Sequence, residues 1–231
     1  MIDLAAVGFT LSIWVVPVIT AITLHEAAHG WMAERLGDDT ARRMGRVSFN
    51  PVRHVDPFGT LILPGILVLV GSPFVFGWAK PVPVAFHRLR NPKLDMVWVA
   101  LAGPGINIAL ALICSLLMHP LRPFTTDLLP LWIYRNLENA IFANVVLACF
   151  NMLPILPLDG GRVLTGLLPG RLARRYAQTE RYGLLIVLGL AFIVPMLARE
   201  LGYDFSPLGW VLMPMVQAVY HVLLFLTGWS A

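Results

Sequence analysis

The sequence predicts an all-α polytopic membrane protein of five to six transmembrane helices, with a re-entrant or β-hairpin element near a polar site. Three observations predict this class. Hydrophobic residues make up 58% of the 231 positions and charged residues only 13%, with a mean hydropathy of +0.74, whereas soluble domains carry about a quarter charged residues. Five apolar stretches approach the length a crossing helix needs, roughly 18–25 residues. Ionisable residues gather at the end of the first stretch, where a bilayer makes them costly and hence functional. With no internal repeat and no low-complexity tract, residues 1–231 read as one integral membrane domain. Its core covers about 4–170 and a C-terminal helix pair covers about 183–228.

The first stretch runs from Leu4 to about Met32. The Met-Ile-Asp start lacks the basic region of a secretory signal, so the segment reads as a retained span. Next comes Phe58–Trp78, interrupted by Pro64, Gly65, Gly71, Ser72 and Pro73, which break a continuous helix. Leu94–Met118, Leu131–Leu153, Gly183–Leu197 and Leu208–Leu226 complete the set, with Pro195 and Pro214 kinking the last two. Trp98, Trp132, Tyr134, Tyr203, Trp210 and Trp229 lie near segment ends, as interfacial aromatics do. Cys114 and Cys149 fall inside apolar segments and read as packing residues.

Charge placement orients these segments. If Phe58–Trp78 enters and returns on one side, 14 of the 17 Lys and Arg residues face the cytoplasm; only Arg122, Arg135 and Arg199 lie outside. If it crosses, Lys80, Arg88, Arg90, Lys93 and the cluster from Arg162 to Arg181 move outside. The positive-inside rule favours the re-entrant arrangement, with the N-terminus outside. The formal net charge of +4 then reflects basic cytoplasmic loops and calls for no nucleic-acid partner. The run Arg171–Arg175 reads as an anchor on the inner leaflet.

Residues 25–29 read His-Glu-Ala-Ala-His. Histidines four apart share one helix face and can bind a single zinc ion, with Glu26 beside them as a general base toward water. A helix end dipping into the interface could also carry these residues harmlessly, and the motif needs a third ligand. Under the topology above, Leu131–Leu153 runs inward and ends in Asn151-Met-Leu-Pro-Ile-Leu-Pro-Leu-Asp159-Gly-Gly-Arg162. Of eight aspartates, Asp159 is the one embedded in an apolar run, on the same side as His25 and His29. Pro154 and Pro157 exclude a helix, and Gly160 and Gly161 permit a sharp turn. Two His and one carboxylate leave a position open on zinc, as catalytic sites do. The competing reading makes Asp159 a helix N-cap.

The paired motifs His25-Glu-x-x-His29 and Asn151-x-x-Pro154-x-x-Pro157-Leu-Asp159-Gly160 resemble the site-2 protease family of intramembrane zinc metalloproteases. Ala102-Gly103-Pro104 with Asn107, and Gly77-Trp-Ala-Lys-Pro-Val-Pro-Val84, also match. Gly45-Arg-Val-Ser-Phe-Asn50-Pro51 and His54-Val-Asp56-Pro57 are similar to a short prokaryotic branch without PDZ or CBS domain. The resemblance spans about Ile13 to Pro169. It implies His25, His29 and Asp159 as ligands of one zinc ion per chain, Glu26 as catalytic base and Asn151 as a helper on the substrate carbonyl. It also implies membrane-spanning protein substrates. A strand edge in 58–84 would suit an unwound substrate.

Two other classes compete. A zinc-binding membrane protein without proteolysis, a chaperone or transporter, would use the ligands but not the base. A prenyl-protein protease would need a glutamate helix with a distant arginine, which is not evident. His54 with Asp56 reads as a turn pair, and His87, His119 and His221 as interfacial or packing residues.

Overall fold

The computed structural model describes residues 4–69, 77 and 79–229, and every regular element among them is helical. Helix α1 (Leu4–Arg35) has 32 residues, a length of about 48 Å at 1.5 Å per residue. A short α2 (Thr40–Arg43) and a 3₁₀ turn (Pro51–His54) follow. A π-helical turn (Pro57–Ile62) then leads directly into α3 (Leu63–Leu69). Beyond it come α4 (Pro92–Met118), α5 (Leu128–Asn151), α6 (Asp159–Leu167), α7 (Gly170–Ala177), α8 (Glu180–Leu188), α9 (Val194–Glu200) and α10 (Pro207–Leu226).

Among the described residues, four helices are long and apolar enough to cross a membrane: Ala5–Arg35, Pro92–Phe124, Glu180–Glu200 and Pro207–Leu226. The third joins α8 and α9 through a π-helical turn (Gly189–Ile193) and is longer than the apolar run suggests. Helix α5, at 24 residues, matches a span in length. It carries Arg135, Glu138 and four asparagines, which make it the most polar of the long helices.

Helices α1, α4 and α5 pack on one another as the central bundle, with α6 against α4 and α10 against α5. Ala111, Ile141, Val145, Cys149, Val216 and Leu223 form the main core between α4, α5 and α10. Both cysteines are free; Cys149 lies in this core and Cys114 packs against it, as their apolar context implies. His119 stacks on Trp229 with centroids 4.3 Å apart and donates to the Thr227 carbonyl, a packing role as expected.

Prolines shape the helices in a way the sequence reading underestimated. Pro64 and Gly65 do not end the helix: it winds from Pro57 to Leu69. The Leu63 N–H bonds the Phe58 carbonyl five residues back, and the Val194 N–H bonds the Gly189 carbonyl in the same way. A proline follows each π turn by two residues, Pro64 and Pro195; proline has no N–H for an ordinary helical bond, and the wider turn accommodates the missing donor. In α1, Pro17 has no N–H for the Ile13 carbonyl, and the Asn139 amide of α5 donates to that carbonyl at 2.9 Å. A polar side chain from a neighbouring helix satisfies the freed backbone group.

Residues 70–76 and 78, on which the hairpin expectation partly rests, lie outside the described residues. Residues 79–85 run without regular structure and are tied to the protein along one edge. The Lys80 N–H donates to the His54 carbonyl, Val82 N–H to Glu26, and Ala85 N–H to buried Asp38. Pro81 and Pro83 supply no N–H. This strip therefore has few donors left for a pairing strand, and the strand-edge expectation does not extend to 79–84. Among the described residues no β-strand occurs.

Candidate metal centre

His25 and His29 lie one turn apart on the inward face of α1, with imidazole centroids 4.6 Å apart and rings nearly perpendicular. Asp159 opens α6. Its Oδ2 is 3.2 Å from His25 Nε2 and 3.4 Å from His29 Nε2, and the two Nε2 atoms are 3.0 Å apart. All three residues are buried. They are a group of metal-capable side chains whose ligand atoms lie within 4.8 Å of one another.

The proton positions follow from the second ring nitrogens. His25 Nδ1 is 2.6 Å from Asn107 Oδ1, and His29 Nδ1 is 2.7 Å from the Val99 carbonyl. Asn107 donates its amide to the Ala21 carbonyl and to Asn144 Oδ1, so Oδ1 is the atom facing His25. Both partners of the imidazoles are acceptors, and each Nδ1 must donate. The Nε2 atoms are then bare lone pairs pointing at each other and at a carboxylate oxygen. In neutral imidazoles neither has a proton to give, and Asp159 Oδ2 has no hydrogen-bond partner although it is buried. Three converging acceptors of this kind suit a bound cation. Tetrahedral zinc with bonds near 2.0–2.1 Å sets its ligands about 3.3 Å apart, close to the observed triangle, so the residues fit the ion.

The surrounding backbone is built for this convergence. A Cβ on Gly103 of α4 would fall 2.6 Å from His25 Cε1 and as close to His29, so only glycine lets that helix lie across both rings. Pro104 has no N–H for the Ala100 carbonyl, and the carbonyl of Val99, one residue earlier, accepts from His29. Asp159 is the first residue of α6 and Leu158 is its N-cap, without a side-chain cap bond; the capping alternative is not what the carboxylate does. The helix N-terminus favours its negative charge. Gly160 and Gly161 do not turn the chain as expected, since both are helical and have no positive φ. They let α6 pack onto the backbone of the 152–156 loop, where added Cβ atoms would come within 2.6 Å of the Leu153 carbonyl and the Leu156 nitrogen.

Glu26, between the histidines, accepts the Val82 N–H on Oε2 at 2.8 Å. Asn151 ends α5 with its amide donating to the Leu147 carbonyl at 3.0 Å. His54 and Asp56 serve the loop as expected, His54 bonding the Ser48 carbonyl and Asp56 capping Gly59. Val99 and Asn144 fall outside every motif above, whereas Gly103, Asn107 and Val82 lie within motif matches that assign them no individual role. Asn107 and Asn144 carried a usable signal, as uncharged polar residues deep in apolar helices. Val99 and Val82 act through backbone atoms and carry none.

The match to a family model, described as peptidase family M50, covers residues 126–196, the segment that holds Asn151 and Asp159. A protein of Bacillus subtilis (strain 168) named "Putative zinc metalloprotease YwhC" is 40% identical over 193 residues, 79% of this chain and 80% of its own. A second relative, "Putative zinc metalloprotease Rip2" of Mycolicibacterium smegmatis, is 29% identical over 214 residues, 91% of this chain and 79% of its own. No solved structure matches. With a buried cluster of His25, His29 and Asp159 that could hold a metal, membrane-length helices and 40% identity across most of both chains, the chain belongs to peptidase family M50, the site-2 proteases, and is an intramembrane zinc metalloprotease.

Proposed function

We propose that His25, His29 and Asp159 hold the zinc ion, one per chain, and that Glu26 is the general base for hydrolysis of peptide bonds in membrane-anchored proteins. The observation that carries this reading is the meeting of two bare imidazole nitrogens with the unpartnered carboxylate oxygen of Asp159. When bound, zinc acidifies water and polarises the scissile carbonyl. The chain's own residues do the rest. Asn107 and Val99 keep both imidazoles in the tautomer that presents Nε2. The Val82 N–H fixes one oxygen of Glu26, leaving the other to take a proton from water and return it to the leaving amine. Asn151 would exchange its bond to the Leu147 carbonyl for one to the substrate carbonyl. A membrane helix keeps its amides in its own hydrogen bonds, so the substrate must unwind locally before attack.

In this reading the chain is one domain in a prokaryotic inner membrane. The N-terminus is outside, α5 crosses inward, and the site faces the cytoplasm as the basic loops require. Glu26→Gln is the test. It should retain stoichiometric zinc while cleavage of a membrane-anchored reporter is abolished. Full function after this substitution would instead indicate a zinc carrier without peptidase activity.

A further inference from the structure

The loop that follows α2 and the 79–85 strip together gather positive charge around one cavity. A cavity of about 380 Å³ is lined by Met44, Arg46, Arg53, Lys80, Pro81 and Pro83. Arg46 is only 8% exposed; its guanidinium donates to the carbonyls of Arg53, Lys80 and Pro81. Arg53 commits one Nη1 donor to the Gly45 carbonyl at 2.6 Å. Among the described residues no carboxylate lies within ion-pair distance of Arg46, Arg53 or Lys80. Neighbouring Arg42, Arg43 and Arg88 each have one. Three cations share one cavity without a counter-charge, and burying Arg46 in this state is costly unless an anion completes the site.

The rim identifies the anion's source. Met44, Phe49 and Val52 on the same loop are 62%, 80% and 74% exposed, an apolar fringe unsuited to water. On the loop's other side Phe49 and Pro51 cover an apolar cavity of about 390 Å³ against Val15, Val16, Ile19 and Leu24 of α1, the helix that enters the membrane. A basic pocket ringed by lipid-seeking side chains matches a phospholipid headgroup. An acidic peptide suits it less, because the cytoplasmic flanks of membrane proteins are rich in Lys and Arg.

We infer that this cavity binds the phosphate of an anionic phospholipid, with Met44, Phe49 and Val52 seated among the acyl chains. The site lies beside the base: Arg46 holds the carbonyls of Lys80 and Pro81, and the next residue, Val82, holds Glu26. The bound headgroup steadies the strip that orients the carboxylate. That consequence rests on the assignment of Glu26, whereas lipid retention requires no peptidase activity and fails or holds separately.

Native mass spectrometry of the full chain released from phosphatidylglycerol or phosphatidylcholine nanodiscs tests the site. The wild-type chain should retain phosphatidylglycerol over phosphatidylcholine, and millimolar inorganic phosphate should not displace it. Arg53→Gln with Lys80→Gln should lower retention on the order of tenfold or more. Arg122→Gln with Arg199→Gln, an equal loss of charge elsewhere, should leave it unchanged; both proteins should unfold at the wild-type temperature. Equal retention of the two lipids, equal loss in both double variants, or displacement by phosphate would overturn the inference. So would an acidic peptide whose binding, rather than that of phosphatidylglycerol, depends on Arg53 and Lys80.

Discussion

Gly103→Ala separates the metal site from the fold. An added methyl would sit 2.6 Å from His25 Cε1 and from His29 Cε1, whereas carbon atoms approach comfortably only at about 3.5 Å. The imidazoles must therefore withdraw by roughly 0.9 Å, against a tolerance of about 0.2 Å in ligand distance. The same substitution favours the helix itself, by about 0.5–1 kcal/mol in an interior position. The expected result is zinc affinity lowered by at least 10–100-fold, the range for disturbed ligand support, with metal-free thermal stability retained. Zinc competition against a chromophoric chelator reads the first quantity and thermal unfolding in EDTA the second. Wild-type zinc affinity in Gly103→Ala would refute the geometry, because it would mean that α4 does not lie across the two rings.

Other substitutions probe the supporting bonds. Asn107→Ala strands His25 Nδ1 and Asn144 Oδ1 in the core and should cost about 10–100-fold in zinc affinity, again by chelator competition. Asn139→Leu removes the donor to the Ile13 carbonyl that Pro17 leaves free and should destabilise by about 1 kcal/mol. Adding Pro17→Ala should recover part of that loss, and a strictly additive double-mutant cycle by denaturant unfolding would contradict the pairing. Burial pushes the Asp38 carboxyl up, but bonds from the Thr40 hydroxyl, the Ala85 and Thr40 N–H groups and the charge of Arg88 outweigh it and hold the group below its ordinary value. A depressed folded value gives stability present above the unfolded pKa of about 3.9 and lost as pH falls through the folded one. Asp38→Asn should therefore be less stable at neutral pH and show less acid sensitivity below about pH 4, measured by unfolding at stepped pH.

The long apolar helices were legible in the sequence because lipid imposes one constraint on every residue of a span. The convergence of His25, His29 and Asp159 was legible because a four-residue spacing and an isolated carboxylate each have a local cause. What the residues alone did not disclose is tertiary. That Asn107 turns its carbonyl toward His25 depends on Asn144 and Ala21 taking its amide, and three helices must be placed before that can be read. Gly160 and Gly161 looked like turn residues because glycine signals both flexibility and close approach; only the position of the 152–156 backbone separates the two. Pro64 looked like a terminator, and the π turn that accommodates it leaves no mark in the sequence.

Zinc-edge X-ray absorption of the purified Glu26→Gln protein reads the ligand set of the site itself. One zinc per chain is expected, with two imidazole nitrogens and oxygen ligands at about 2.0–2.1 Å and a spectrum altered by Asp159→Asn. A sulfur shell near 2.3 Å, or a spectrum indifferent to residue 159, would contradict that ligand set.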